Sequence, residues 1–544
     1  MSRLKRSQES GETPLVGGSL RAAALGGIRW YAVVRVFAET SALATSVALA
    51  RLVTPGEFGS ATIALAVFAL TGGVLGIGLT APLVQHKETA PEALQAASFV
   101  AMVAAMAFVV ALVLLAPLIT RPLFGDETTS LIRLSALALP FSALSVVPTA
   151  KLQRRLDFRR LSTFDLTSQL CGAAVSVGTA LAGVGAKAII FGMITMLAMQ
   201  AVLASVSAPP ARPVPHRGMM RRLLGFGASA GTASVIYTAY QNIDYMIIGA
   251  RLGQVELGYY WRAFTLGVEY QGKVSRIMLQ LAFPIYSRMD DLDAVRRMRA
   301  RIVRVHASVL FPLLMLLAAT APLLIPLLYG DRWSPAVVPT QILAFGGLAA
   351  VVGTGGGPLM LAVGKPRWLL VINLVALSFF SVVVYFAAPL GVVWVALSVA
   401  AYQVSITLAV QVLLERLIQV PVRALIHDVG PAFLSSAALL AVAVPLTKLL
   451  AAIGVPTVLV LIAVAVIGLG LYAAMMRTLF RAAWDDLMLV CATVIPRMPT
   501  RQCAPAGSTP RPSGTSAERS AQGALPDDGR PMAVVEPGVE AERP

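Results

Sequence analysis

The chain has 544 residues, of which 57% are hydrophobic and 13% charged, and its formal net charge is +17. Such a composition excludes an ordinary soluble enzyme, because the apolar runs are longer than a core helix needs. The three cysteines, Cys171, Cys491 and Cys503, are odd in number and scattered, so neither a disulfide framework nor a metal-ligand spacing is present. Runs of about 20 apolar residues are long enough to cross the hydrocarbon core, and they lack the period-two alternation of barrel strands. An all-α polytopic membrane protein is expected. The basic residues fall in short connections between runs, where they set orientation, and no nucleic-acid partner is expected.

In chain order, residues 1–25 form a basic N-terminus containing Arg3, Lys5, Arg6 and Arg21. The apolar run behind it ends in Ala48-Leu49-Ala50 and imitates a signal-peptidase site, but Arg35 and Glu39 interrupt it, so a retained first span is expected. Apolar runs place spans near 26–50, 59–82, 93–118, 130–150, 163–184 and 186–207, an N-terminal six-helix bundle over residues 26–207. A basic linker, 208–222, leads to spans near 223–250, 257–285, 305–328, 335–362, 367–388 and 391–413, a C-terminal six-helix bundle over 223–413. Residues 414–476 hold a connecting loop and an appended helix pair near 429–450 and 455–476, giving about 14 transmembrane helices. Residues 477–496 read as an amphipathic segment for the inner leaflet, and 497–544, rich in Pro, Gly, Ser and Ala, as a disordered tail.

The chain says two things twice. Ala50-Arg51-Leu52-Val53-Thr54-Pro55-Gly56-Glu57-Phe58-Gly59 returns as Ala250-Arg251-Leu252-Gly253-Gln254-Val255-Glu256-Leu257-Gly258. Ala116-Pro117-Leu118, running on to Phe124-Gly125-Asp126, returns as Ala321-Pro322-Leu323, running on to Tyr329-Gly330-Asp331. Two echoes in register mark a fold built from repeats, with substrate handled between them. Six spans per half keep both halves in one orientation, so the bundles are parallel. With the N-terminus inside, connections on the cytoplasmic side hold roughly twenty Lys/Arg against about six on the other, as the positive-inside rule requires. Both termini are therefore expected in the cytoplasm.

Ionisable residues inside spans are costly, which makes them candidates for function. Arg35 and Glu39 lie four apart on one face of the first span; Glu269, Lys273 and Arg276 share a face of the eighth. Glu39 and Glu269 either neutralise Arg35 and Lys273 or couple transport to an ion, and Arg276 is the foremost candidate to meet an anionic substrate. Asp244 and Arg262 sit at matching depths, about 9 Å from the ends of the seventh and eighth spans. An ion pair across that hairpin is expected, with Gln241 and Asn242 beside it. Asp291-Leu292-Asp293 has the spacing of a metal-binding DxD but reads as the acidic start of a short helix that continues into Arg296, Arg297, Arg299 and Arg301. Gly353, Gly355, Gly356 and Gly357 lack a following Gly-Lys-Ser/Thr, so they read as a helix break and not a phosphate loop.

Several stretches carry a resemblance to a known family. They are Leu49 to Gly59; Leu83-Val84-Gln85-His86-Lys87-Glu88; Leu152-Gln153-Arg154-Arg155-Leu156-Asp157-Phe158; Asn242-Ile243-Asp244-Tyr245-Met246-Ile247-Ile248-Gly249; and Leu257-Gly258-Tyr259-Tyr260. From about Ile28 to Ile418 the chain resembles Wzx-type polysaccharide (O-antigen/exopolysaccharide) flippases of the multidrug/oligosaccharidyl-lipid/polysaccharide exporter superfamily. The resemblance implies a transporter, not an enzyme: two parallel six-helix bundles face one another as a V in the bacterial plasma membrane. Its implied substrate is an undecaprenyl-pyrophosphate-linked oligosaccharide, moved from the inner to the outer leaflet for a polysaccharide polymerase and export machinery. Arg35, Arg262, Lys273 and Arg276 would then meet the pyrophosphate, and Tyr240, Gln241, Asn242, Tyr270 and Gln271 the sugar hydroxyls. No cofactor is expected beyond a coupling ion, H+ or Na+, for which Glu39, Glu269 and Asp244 are the candidate carboxylates. The alternatives are a cation-coupled multidrug exporter of the same superfamily, which favours unpaired carboxylates, and a membrane enzyme of glycan assembly, which needs a larger loop or soluble domain.

Overall fold

Local sequence sets the ends of the helices. Thr54-Pro55-Gly56-Glu57 is a capping box. The Thr54 backbone N–H and hydroxyl both donate to Glu57 Oε2, at 2.8 and 2.7 Å, and proline occupies the first helical position. Asp291 caps a later helix by accepting from the backbone N–H of Asp293 and Ala294 at 3.0 and 3.1 Å. The DxD stretch is thus the start of a helix, as its sequence implies. In the computed structural model, residues 16–494 are described except 86–90, 156, 276–285, 287–290, 354–355, 357–358 and 361–365.

Seven helices precede the linker: α1 (Val16–Leu52), α2 (Pro55–Gln85), α3 (Pro91–Leu114), α4 (Ala116–Ala136), α5 (Leu139–Arg154), α6 (Phe158–Leu181) and α7 (Lys187–Ser207). After it come α8 (Arg217–Arg251) and α9 (Gln254–Phe264), which runs into a π-helical turn, Thr265–Glu269, and stays helical to Ser275. Then follow α10 (Leu292–Tyr329), a 3-10 turn (Asp331–Ala336), α11 (Val337–Gly353), α12 (Pro366–Ala387) and α13 (Val392–Ile418). The chain continues through α14 (Val422–Ala452), α15 (Thr457–Leu479) and α16 (Arg481–Val494). No strand occurs among the described residues, and ten of the described helical stretches are long and apolar enough to cross a membrane. The chain is a multi-pass, all-α membrane protein.

The first six predicted spans resolve into seven helices, because the expected loop between 118 and 130 is helical. Pro117 sits in the first turn of α4, where its missing N–H costs nothing, and the chain breaks helical geometry only at Gly125 (φ 82°, ψ 177°). Gly330, its counterpart in the second echo, has nearly the same backbone (φ 95°, ψ 161°), so the repeat is one of conformation as well as sequence. α11 is described to Gly353, and Gly356 is again helical; Gly355 and Gly357 of the run in which a helix break was expected lie outside the described residues. The predicted inner-leaflet segment divides into the end of α15 and α16. The N-terminal fifteen residues and the predicted disordered tail lie outside the described residues.

Helix α1 packs on α6, α6 on α7, and α2 on α4 and α5. In the second half, α10 packs on α11, α11 on α13, and α12 on α8 and α13. The halves meet where α2 runs along α8 and the start of α9, in a core that includes Ile63, Ile248, Leu257 and Tyr260. The appended pair α14–α15 packs on α10 through Phe311, Leu314, Leu439, Val460 and Val464, and Tyr472 donates to the Ser308 carbonyl at 2.8 Å.

Candidate functional site

A chain of alternating charge crosses from the first half to the second. Arg35 Nη2 lies 2.6 Å from Glu39 Oε1, Glu39 Oε2 lies 3.1 Å from Lys273 Nζ, and Lys273 Nζ lies 3.7 Å from Glu269 Oε1. The Thr265 hydroxyl donates to the second oxygen of Glu269 at 3.2 Å, and Lys273 Nζ sits 5.0 Å from the centre of the Tyr270 ring. The side chains are 24–44% exposed, so the pairs line an accessible face and are not locked in a packed core. Glu39 is paired with Arg35 and Lys273, and Glu269 with Lys273. Arg276 lies outside the described residues. The π turn helps set the register of Glu269 and Tyr270: it widens the helix by one residue where Gly267 presses against Leu343 and Ala344 of α11.

Asp244 and Arg262 do not pair, contrary to the expectation from their matching depths. Asp244 accepts from the Tyr260 hydroxyl at 2.8 Å, and its Oδ1 has no hydrogen-bond partner. Arg262, fully buried, donates through Nη1 to Ser46 of α1 and is ringed by Phe58, Trp261, Tyr329 and Trp333, whose centroids lie 4.2–5.0 Å from Cζ. Equal depth places two residues in one layer but leaves their azimuth open, and here aromatic faces answer the guanidinium in place of a carboxylate.

The predicted sugar-contacting residues scatter. Tyr240 packs on Phe380 and accepts from the Tyr402 hydroxyl at 3.1 Å; Gln241 donates to Tyr237 at 2.8 Å; Asn242 bonds the Thr238 carbonyl of its own helix. Tyr270 is beside Lys273, whereas Gln271 turns inward and accepts from Ser275, whose hydroxyl lies 2.8 Å from His306 Nε2. No hydrogen bond or ion pair among the described residues joins Tyr240, Gln241 or Asn242 to the charged chain. Residue-by-residue reading missed His306 and Asp165, which accepts from Gln200 at 2.8 Å. An ionisable group inside an apolar run was the available signal for both.

The sequence echoes meet at the end of the molecule where α1 passes into α2. Arg51 donates through Nε to the Leu328 carbonyl at 2.9 Å and through Nη2 to Leu327, the closing carbonyls of α10. Arg332 donates to the Ala50 carbonyl at 2.9 Å and to that of Arg51, the closing carbonyls of α1, and Trp333 Nε1 reaches Ala50 at 2.8 Å. A cation at a helix C-terminus answers both unpaired carbonyls and the helix dipole. Alongside, Gly59 of α2 presses on the Gln254 carbonyl and Gly258 of α9 on the Pro55 carbonyl; a Cβ on either glycine would overlap that oxygen. Both copies of the repeated motif thus meet at this junction, at the end of α1 that follows Arg35 and Glu39 in sequence.

Residues 48–338 match the family described as polysaccharide biosynthesis protein. The lipopolysaccharide biosynthesis protein WzxC of Escherichia coli (strain K12) is 25% identical over 348 residues, 63% of this chain and 71% of that protein. The succinoglycan biosynthesis transport protein ExoT of Rhizobium meliloti (strain 1021) is 25% identical over 303 residues, 54% of this chain and 60% of that protein. In fold, the chain is similar to the lipid II flippase MurJ in an inward closed conformation (TM-score 0.61, 13% identity, 83% of this chain and 99% of that one). It is also similar to an inward-facing MATE family multidrug resistance transporter of the MOP superfamily (TM-score 0.55, 12% identity, 70% of this chain and 94% of that one). The family match begins at the first copy of the repeated motif and runs past the second echo, so it takes in both copies of the motif together with Glu269 and Lys273: the chain belongs to the family described as polysaccharide biosynthesis protein.

Proposed function

We propose that this protein carries an undecaprenyl-pyrophosphate-linked oligosaccharide from the inner to the outer leaflet of a bacterial plasma membrane by alternating access. The observation that carries the reading is the accessible chain Arg35–Glu39–Lys273–Glu269, which joins the two halves; the junction of the two motif copies is read as a seal at one end of the pathway. With both termini cytoplasmic and about fourteen spans, that seal faces outward, and the conformation is the one that loads from the cytoplasm. Glu39 and Glu269 neutralise the cations while no substrate is bound. A pyrophosphate offers more acceptor oxygens than a carboxylate and displaces the two acids from Arg35 and Lys273. Loss of the Glu39–Lys273 pair then removes a tie between the halves, which favours opening of the outer seal. The prenyl tail stays in lipid, and polymerase and export machinery consume the product. The freed acids, or the fully buried Asp244, take up a coupling ion, H+ or Na+.

The deciding measurement is the sidedness of the lipid-linked oligosaccharide in cells with and without the protein. Depletion is expected to trap the intermediate in the inner leaflet. An intermediate that still reaches the outer leaflet at the normal rate would overturn the assignment of substrate.

A further inference from the structure

The first turns of α10 carry a row of arginines, most of which meet acids. Arg296 lies 2.6 Å from Asp293, Arg297 3.5 Å from Asp291 and Arg301 3.1 Å from Asp486 of α16. Arg304 reaches both Asp428 of α14, at 3.1 Å, and Asp486, at 2.8 Å. Arg299 differs. It is 3% exposed, its Nη2 donates to the neutral Oε1 of Gln411 on α13, and it makes no ion pair among the described residues. Asp428 is the acid whose field reaches it, and that carboxylate is bonded to Arg304.

Three buried polar atoms of Arg299, Gln411 and Tyr286 have no hydrogen-bond partner: Nε of Arg299, Nε2 of Gln411 and the hydroxyl of Tyr286. Gln411 and Tyr286 are each 2% exposed. Tyr286 belongs to one packed cluster with Val295 and Leu414, which lie one turn from Arg299 and Gln411 on α10 and α13. Tyr286 and Arg299 are also within electrostatic reach of one another. A buried guanidinium without a counter-charge is unfavourable, as is each unpaired donor; Arg299 and Gln411 are bonded to one another, and Tyr286 belongs to the cluster one turn away on both helices. All three can donate, one atom belongs to a cation, and the set supplies no carboxylate.

We infer that Arg299, Gln411 and Tyr286 form a binding site for a compact oxyanion, a phosphate group. The site is separate from the Arg35–Lys273 chain and independent of what that chain carries. Arg299 is about 10 Å along α10 from its first residue, near one end of that helix, and the phosphate could come from a lipid headgroup or from free phosphate.

The test uses the full chain purified in a phosphate-free maltoside detergent, with thermal unfolding followed in three media: potassium gluconate, inorganic phosphate at equal ionic strength, and phosphatidylglycerol mixed micelles. Phosphate or the phospholipid is expected to raise the midpoint of wild type by roughly 2 °C or more, and to leave Tyr286→Phe, Gln411→Leu and Arg299→Gln nearly unshifted. A shift with inorganic phosphate identifies a free-anion site; a shift with phosphatidylglycerol alone identifies a headgroup site. Should Arg299→Gln fail to fold, Tyr286→Phe, which removes one oxygen and no charge, still decides the matter. No shift in wild type, or equal shifts in wild type and Tyr286→Phe, overturns the inference.

Discussion

Arg51 and Arg332 each close the other's helix: Arg51 binds the last carbonyls of α10, and Arg332 binds the last carbonyls of α1. Neither needs a carboxylate, because the helix ends supply the negative potential. Arg332→Ala is expected to cost the sealed state about 1–2 kcal/mol and so to raise the open fraction roughly tenfold. Labelling of Ser46→Cys by a membrane-impermeant thiol reagent, in a background without Cys171, Cys491 and Cys503, reads that fraction. An unchanged labelling rate would show that Arg332 does not hold the seal.

Gly59 and Gly258 have no room for a side chain, whereas a methyl group on Gly178 would meet nothing within 4 Å. Gly59→Ala and Gly258→Ala should each destabilise the sealed state by about 1–3 kcal/mol of overpacking, while Gly178→Ala should leave it unchanged or slightly better. Surface polysaccharide output at matched membrane expression separates them: the first two lower it and the third does not. Equal output from all three would mean that close approach of the two motifs is not required.

Glu39 and Lys273 join the halves directly. A double-mutant cycle with Glu39→Gln and Lys273→Met is expected to give a coupling energy of about 0.5–1 kcal/mol, kept modest because both side chains are partly exposed. Unfolding midpoints in detergent measure it. A coupling indistinguishable from zero would leave the two side chains as neighbours without energetic consequence.

Because Asp244 and Arg262 have different partners, exchanging their charges should not rescue either single change. Asp244→Asn keeps an acceptor for Tyr260 and should be tolerated within about 1 kcal/mol. Arg262→Gln removes a desolvated cation from four aromatic faces and should cost about 2 kcal/mol or more. Expression of the membrane-inserted protein, followed across both single variants and the charge-exchanged double, checks this. Restored expression in the double would mean that the two do pair.

Fold class and the repeat were legible because they rest on long-range regularities: apolar run length, the recurring Glu-Phe-Gly and Glu-Leu-Gly triplets, and glycines at equivalent breaks. The charged chain was half legible. Spacing of four put Arg35 with Glu39 and Glu269 with Lys273, but the Glu39–Lys273 contact depends on how α1 faces the continuation of α9, which no local pattern states. The Asp244–Arg262 expectation failed on the same missing angle. The seal around Arg262 was hidden for a further reason: it draws Ser46, Phe58, Tyr329 and Trp333 from segments more than two hundred residues apart, and aromatic residues near a membrane surface read equally well as interfacial anchors.

The contact of Gly59 with Gln254 and of Gly258 with Pro55 has the form of an isologous interface, in which one patch meets its own copy, as in a two-fold dimer. Here both patches belong to one polypeptide, so the partner is always present and its effective concentration is fixed by the chain. Rotation of one half against the other cannot open one of these contacts and spare its twin. The junction should therefore release as a single cooperative event, and a lesion in either copy should be felt at both.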